Sequence, residues 1–234
     1  MPIGIIINTS AIILGGLIGS VVKERLPEEY RVSLNMIFGL ASMGMGIASI
    51  VLMQNMPAVI FSLILGTCLG LLLHLGDKIT SAAGAMQKLL GMEKSENAAQ
   101  LVTVIVLFCA SGTGIYGSLV SGMSGDHSIL IAKSILDLFT AMIFACSLGK
   151  VISLIGIPQF IVMILLYLLA GVIVPLTTPA MINDFKACGG FIMVATGFRI
   201  LQLKQFPTAD MIPAMILVMP LSWLWVTYIL PLVG

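Results

Sequence analysis

Charge is scarce in this 234-residue chain: Asp, Glu, Lys and Arg together make up 9% of it, with 11 basic and 10 acidic residues and a formal net charge of +1. The bases are scattered, and without a basic patch or stripe no nucleic-acid partner is expected. Histidine occurs twice and cysteine four times. Cys68, Cys109, Cys146 and Cys188 each fall in or beside an apolar run and form no C-x-x-C pair. That arrangement argues against a disulfide framework and a zinc site and suits small buried hydrophobes. The 16 methionines, Met43 and Met45 among them, lack Cys or His at matched spacing. They read as adaptable fillers of apolar surface rather than as a Cu(I) path. No metal or cofactor is expected.

What the chain has instead is apolar length. Hydrophobic residues make up 59% of it and its mean hydropathy is +1.15, far above the roughly 45–50% apolar content of ordinary soluble domains. The expected fold is all-α, a polytopic transmembrane helical bundle whose partner is the lipid bilayer. Eight runs are long enough to cross about 30 Å of hydrocarbon: 3–22, 34–54, 57–75, 99–122, 128–148, 158–176, 188–203 and 209–232. The seventh is short, the fourth is rich in glycine, and the second and third are close enough to be one broken element.

Charge placement supports the count. If eight spans alternate, one side holds Lys23, Arg25, Arg31, Lys78, Lys88, Lys94, Lys150 and Lys204, with Arg199 at the end of the seventh span, and the other side holds Lys186. Because Lys and Arg near span ends accumulate in the cytoplasm, this partition sets both termini outside it. Trp223, Trp225 and Tyr228 then fall at the outer interface. A secretory signal peptide would carry its bases before the apolar run, whereas Lys23 and Arg25 follow it. Gly15, Gly16 and Gly19, and again Gly66 and Gly70, have the spacing of close helix packing. Such glycine-rich faces are compatible with a homo-oligomer.

A single membrane domain, 1–234, divides further by an internal repeat. Aligning the segments 26–50 and 177–201 brings Gly39 onto Gly190 and Gly46 onto Gly197, and the following spans open alike at Met56-Pro57-Ala58 and Ile212-Pro213-Ala214. Spans one to three thus match spans six to eight, and an offset of five spans makes the repeat inverted, as in many secondary transporters. Apolar segments full of Gly, Ala and Ile also align by chance. On the repeat reading, 1–75 is repeat one, 76–98 a cytoplasmic amphipathic connection, 99–150 a central helix pair (spans four and five) and 151–234 repeat two. In the connection, Ile79, Ala82, Met86 and Leu89 recur at helical spacing, which fits either a helix on the membrane surface or a solvated linker.

The central pair carries the unusual chemistry. Lys133 and Asp137 stand one turn apart in the fifth span, and a charge at bilayer depth costs roughly 2.5–3.5 kcal/mol, so it marks a functional site by default. A buried ion pair that only fixes packing is the bland alternative. In the fourth span, Ser111-Gly112-Thr113-Gly114 precedes Gly117, and such glycine density weakens a helix. It suits either an unwound segment whose backbone and hydroxyls meet a solute or a tightly packed glycine face. Asp126 and Ser128 are candidate caps of the fifth helix, and His127 lies beside them. Asn8, Asn183 and Asp184 are secondary candidates near the outer ends of spans one and six.

These residues carry a resemblance. An Asn8-containing start followed by Gly15-Gly16-x-x-Gly19, then Gly125-Asp126-x-Ser128-Ile129-Leu130-x-x-Lys133-Ser134-x-Leu136-Asp137, and finally Ala180-Met181-Ile182-Asn183 before Gly189-Gly190 resemble the YdfK/YqgA family of bacterial inner-membrane proteins. The stretch Phe108-Cys109-Ala110-Ser111-Gly112-Thr113-Gly114 resembles the YqgA branch. The resemblance implies a multi-pass protein of the bacterial inner membrane and no particular substrate. The function expected is a transporter or channel for a small solute or ion, with a site formed by Lys133, Asp137, Ser111, Gly112, Thr113, Gly114, Asp126, Asn8 and Asn183. The alternatives are a non-transporting sensor or scaffold and, with no motif context behind it, an intramembrane enzyme using Ser111 and Lys133.

Overall fold

The computed structural model describes residues 1–22, 27–89, 98–109 and 111–233, and every regular element among them is helical. In chain order these are α1 (Ile3–Val22), α2 (Glu28–Ile50), α3 (Met56–Leu72), α4 (Leu75–Leu89), α5 (Ala98–Cys109), α6 (Gly112–Ser124), α7 (Ser128–Leu148), α8 (Val151–Ile173), α9 (Pro179–Ile200), α10 (Ile212–Leu224) and α11 (Leu230–Val233). A 3₁₀ turn, Val174–Leu176, follows α8, and a π-helical turn, Trp225–Ile229, joins α10 to α11. Lys23, Arg25 and Lys94 of the charge partition, and Ala110 of the glycine-rich stretch, lie outside the described residues.

Five helical segments among the described residues are long and apolar enough to cross a membrane: in α1, α2, α7, α8 with its 3₁₀ turn, and α10 through α11. The pair α3 and α4 adds a sixth, bent by 55°. The sequence runs differ from the helices in three places. The fourth run is two helices, α5 and α6, of 12 and 13 residues, each shorter than the roughly 20 residues a crossing needs. The sixth begins at Val151 because α8 accommodates Pro158 in its interior; a helix in lipid tolerates the lost amide when neighbours re-satisfy the freed backbone group. The seventh is the second half of α9, which starts at Pro179 under the N-cap Thr178.

The helices form two compact units. The first comprises Met1–Phe38 and Asp77–Val172. Here α1 lies against α7 and α8, and its glycines make the approach: a Cβ on Gly15 or Gly19 would run into the Leu138 or Met142 carbonyl of α7, and one on Gly16 into Ser153 of α8. Ser153 Oγ donates to the Ile13 carbonyl at 3.1 Å. The core gathers Ile12, Leu101, Val104, Phe108, Ala141 and Ile152, and Ala83 of α4 joins it. The buried stripe of α4 therefore passes through Ala83 and Gln87, whereas Ala82 of the expected stripe is exposed. Leu154, Ile157, Ile161, Leu165 and Leu168 of α8 form an exposed apolar stripe at helical spacing, the face a lipid-bathed helix presents.

The second unit comprises Gly39–Gly76 and Ile173–Gly234. In it, α2 and α9 meet through reciprocal glycines. A Cβ on Gly46 would lie 2.6 Å from the Gly190 carbonyl oxygen, and one on Gly190 2.6 Å from that of Gly46; Gly39 and Gly197 repeat the exchange at 3.1 and 2.7 Å. Ser42 Oγ adds a bond to the Met193 carbonyl at 2.9 Å. Gly66 and Gly70 of α3 meet Ala214 of α10 and the Asp210 carbonyl that precedes it. The spaced glycines are thus filled by contacts within the chain, and a homo-oligomer would use other faces.

Gly19→Val and Gly46→Val force backbone against backbone, and each should destabilise its unit by about 1–3 kcal/mol or more. Gly44, which has nothing within 4 Å of its Cβ position, is the control: Gly44→Ala should stabilise by about 0.5–1 kcal/mol. Thermal unfolding in detergent checks the ordering, and equal effects at Gly44 and Gly46 would contradict it.

Candidate functional site

Lys133 and Asp137 share one face of α7 because four residues make about one helical turn. Both are buried, at 4% and 6% exposure. Lys133 Nζ donates to Asp137 Oδ1 at 2.8 Å and to Oδ2 at 2.6 Å. Asn8 Nδ2 of α1 donates to Oδ2 at 2.8 Å. Since a carboxylate can only accept, Asn8 must turn its amide nitrogen toward it, leaving Asn8 Oδ1 to accept from elsewhere. It does so from Gln159 Nε2 of α8 at 2.5 Å, and Gln159 Oε1 accepts from Thr9 Oγ1 at 2.8 Å. Gln159 Nε2 also touches the Met163 sulfur. Donation thus runs from Thr9 through Gln159 and Asn8 to Asp137, which Lys133 meets from the other side, and the chain links α1, α8 and α7.

A helix break lies on the other side of Lys133. Gly112, Gly114 and Gly117 weaken the fourth run, and Ser111 supplies an N-cap where it restarts: its Oγ accepts from Gly114 N at 3.1 Å. The absent side chain of Gly114 makes room for the lysine, since a Cβ there would lie 3.2 Å from Lys133 Cε and 2.9 Å from Ser111 Oγ. The Cβ position of Gly117, one turn on, meets Leu130 in the same way. Thr113 is 6% exposed, and its hydroxyl makes no hydrogen bond among the described residues. Every fully occluded side-chain polar atom among them has a partner, so the Thr113 oxygen is not fully occluded.

The structure joins Lys133, Asp137 and Asn8 of the expected site by hydrogen bonds and sets Gly114, whose amide Ser111 caps, beside Lys133. It does not bring in Asp126 or Asn183. Asp126 is exposed in the turn before α7, where its Oδ1 accepts from Ser128 N at 2.9 Å. The N-cap position of α7 falls on His127, whose Nδ1 lies 2.7 Å from Ser121 Oγ, rather than on Asp126 or Ser128. Asn183 is half-buried on α9, in the second unit. Gln159 and Thr9 were missed. The signal for Gln159 was an amide group in an otherwise apolar run, hidden because the run was started at Pro158.

The second unit has a polar centre of its own. Asp184, at 0% exposure, accepts from the backbone of Gln54 and Asn55 at 2.8 and 2.9 Å through Oδ1, and from Asn55 Nδ2 at 2.8 Å and Ser222 Oγ at 2.6 Å through Oδ2. Asn55 is the N-cap of α3, so helix-start amides solvate the carboxylate. No cation pairs with it among the described residues. This carboxylate ties α9 to the start of α3 and to α10.

Removing one member of the Lys133–Asp137 pair strands a buried charge, at about 3–5 kcal/mol. Lys133→Ala or Asp137→Ala should therefore cut folded yield sharply. Lys133→Met with Asp137→Leu should restore most of it, less the roughly 1–3 kcal/mol of an Asn8 donor left without its acceptor. Folded yield by size-exclusion chromatography checks this, and single variants that fold as well as the parent chain would contradict a desolvated pair.

Comparison with known proteins agrees with the resemblance drawn from these motifs. The family described as protein of unknown function (DUF554) matches residues 3–223. The chain is 48% identical over 233 residues to the uncharacterized protein YqgA of Escherichia coli (strain K12), an alignment covering 97% of this chain and 99% of that protein. It is 28% identical over 220 residues to the uncharacterized membrane protein YdfK of Bacillus subtilis (strain 168), covering 92% and 93%. No solved structure matches. With nearly its whole length matched, the chain belongs to the DUF554 family.

Proposed function

We propose that this chain is a transporter or channel of the bacterial inner membrane, moving a small solute or ion through a site built on α6 and α7. The observation that carries the reading is the buried Lys133–Asp137 pair beside a broken helix. Intramembrane charge is retained where it handles a solute or an ion. Discontinuous helices at bilayer depth offer backbone groups to the same end. Asn8, Gln159, Ser111 and Thr113 complete the polar surroundings.

Two observations support an inverted repeat. In such a repeat, Gly39 corresponds to Gly190 and Gly46 to Gly197, so a two-fold axis between α2 and α9 would require Gly39 to meet Gly197 and Gly46 to meet Gly190. Those are the pairs in contact. Each compact unit also holds both members of a matched pair of spans, α1 with α8 in one and α3 with α10 in the other. The partition of basic residues between the two sides supports extracytoplasmic termini.

A non-transporting sensor or scaffold is the second reading, favoured by the continuous polar chain that links Lys133, Asp137, Asn8, Gln159 and Thr9, which also suits a fixed core. Enzymatic activity is not part of our reading: Lys133 is engaged by Asp137, and Ser111 caps a helix. Purified protein in liposomes, exposed to a broad solute mixture and assayed by mass spectrometry and ion-sensitive dyes, tests transport. Accumulation of at least one solute above protein-free liposomes, lost in the folded Lys133→Met/Asp137→Leu variant, is expected. Equal accumulation by that variant would remove the pair from the mechanism.

A further inference from the structure

Where α9 turns into α10, two bases stand without an acid: Arg199 in the last turn of α9 and Lys204 in the loop, with no Asp or Glu in residues 199–209. Asp210, which follows, is buried and accepts from the Gly76 amide at 2.9 Å. The loop is stitched rather than slack. Leu203 N donates to the Phe198 carbonyl at 3.1 Å and Thr208 N to that of Phe206 at 2.9 Å, and the Phe198 and Phe206 rings meet at 5.7 Å. Arg199 Nη1 donates to the buried Thr208 hydroxyl, which fixes the direction of the guanidinium. That bond uses one of five donors. Neither the other four nor the Lys204 ammonium has a partner among the described residues. Beside Lys204, Leu203 is 67% exposed and Phe206 38%. The apolar segment that starts at Ile212 is long enough to cross a bilayer, which places this loop at a bilayer surface. There, exposed apolar side chains meet acyl chains while neighbouring bases reach the headgroups.

We infer that the α9–α10 loop is a docking site for an anionic phospholipid, its phosphate diester held by Arg199 and Lys204 and its upper acyl chain lying on Leu203 and Phe206. Charge complementarity selects the lipid. A zwitterionic headgroup brings its own cation to the phosphate, whereas a headgroup of net negative charge leaves the two bases as its counter-ions. Arginine suits the task, because its planar fork can give two N–H bonds to the diester oxygens while another stays on Thr208. A soluble phosphate would engage the same bases but would leave Leu203 and Phe206 in water, so the apolar pair favours the lipid. The site lies within the second unit and rests on no part of the transport reading.

The chain has two tryptophans, Trp223 and Trp225, so replacing both by Phe and adding Phe206→Trp gives a single reporter in the loop. Reconstituted in mixed bilayers, its quenching by brominated phosphatidylglycerol against brominated phosphatidylcholine of the same acyl chains gives the relative affinity of the two lipids there. At roughly fivefold per base, phosphatidylglycerol should be preferred about 25-fold, and the preference should shrink as salt is raised. Arg199→Gln/Lys204→Gln should bring the two lipids level. Lys204→Gln alone, at an exposed position with no bond to lose, should keep about a fivefold preference. Lys150→Gln removes an equal charge from the exposed turn before α8 and should change nothing. A Leu203→Trp reporter should give the same order where Phe206→Trp disturbs the ring pair. Equal quenching by the two lipids, quenching by neither, a double variant that keeps the preference, or a loss matched by Lys150→Gln would each overturn the inference. So would relief of the quenching by sodium phosphate at constant ionic strength, the mark of a soluble-anion site.

Discussion

A lysine and an aspartate forced to share one helix face inside an apolar bundle set the terms for the rest of the first unit. Neither charge is stable there alone, so α1 must bring Asn8 to the carboxylate, and α8 must bring Gln159 to Asn8. The glycines of α1 let it approach closely enough, because any side chain at Gly15 or Gly19 would meet the backbone of α7. Gly114 plays the same part from α6, leaving room for the lysine stem. The break before Gly112 then leaves helix-start amides beside an ammonium rather than against lipid, which is where an interrupted helix can exist in a bilayer.

The second unit solves a similar problem differently. Asp184 has no cation, yet each of its oxygens takes two bonds from neutral donors, two of them backbone amides at the start of α3. Such a carboxylate is an anchor: every acceptor site in use holds a helix in place. The contrast with Asp137 is instructive, because there one oxygen depends on a single flexible partner. A group held by one movable bond can change partners, and a group held by four fixed ones cannot do so without loosening three helices. That difference leaves the Lys133–Asp137 pair the more adaptable of the two polar centres and makes Asp184 the more tightly fixed one.

Much of this was legible in the sequence, for physical reasons. A charge inside an apolar run is expensive enough to stand out, so Lys133 and Asp137 were found, and three glycines in six residues marked the break that separates α5 from α6. Glycines at spacing four marked the contact faces of α1 and α3. What hydropathy could not resolve was where helices begin. Pro158 looks like a boundary but sits inside α8, and α9 starts in a stretch whose Asp184 and Lys186 lower its apolar average. The partners of the charges were also hidden. Gln159 and Thr9 lie 150 residues apart in sequence, and single uncharged polar residues in apolar runs occur without consequence elsewhere. Ala82 was favoured over Ala83 because helical spacing defines a stripe but not which neighbour it meets.

The central claim is that the break in the fourth run is a solvated site facing Lys133 rather than a packing defect. Thiol accessibility tests it most directly, using Thr113→Cys in a background whose native cysteines are replaced by serine or alanine, labelled in intact membranes with a small water-soluble methanethiosulfonate. The account predicts modification of that thiol. An inert thiol, in membranes where Ser124→Cys in the exposed hairpin labels fully, would contradict it.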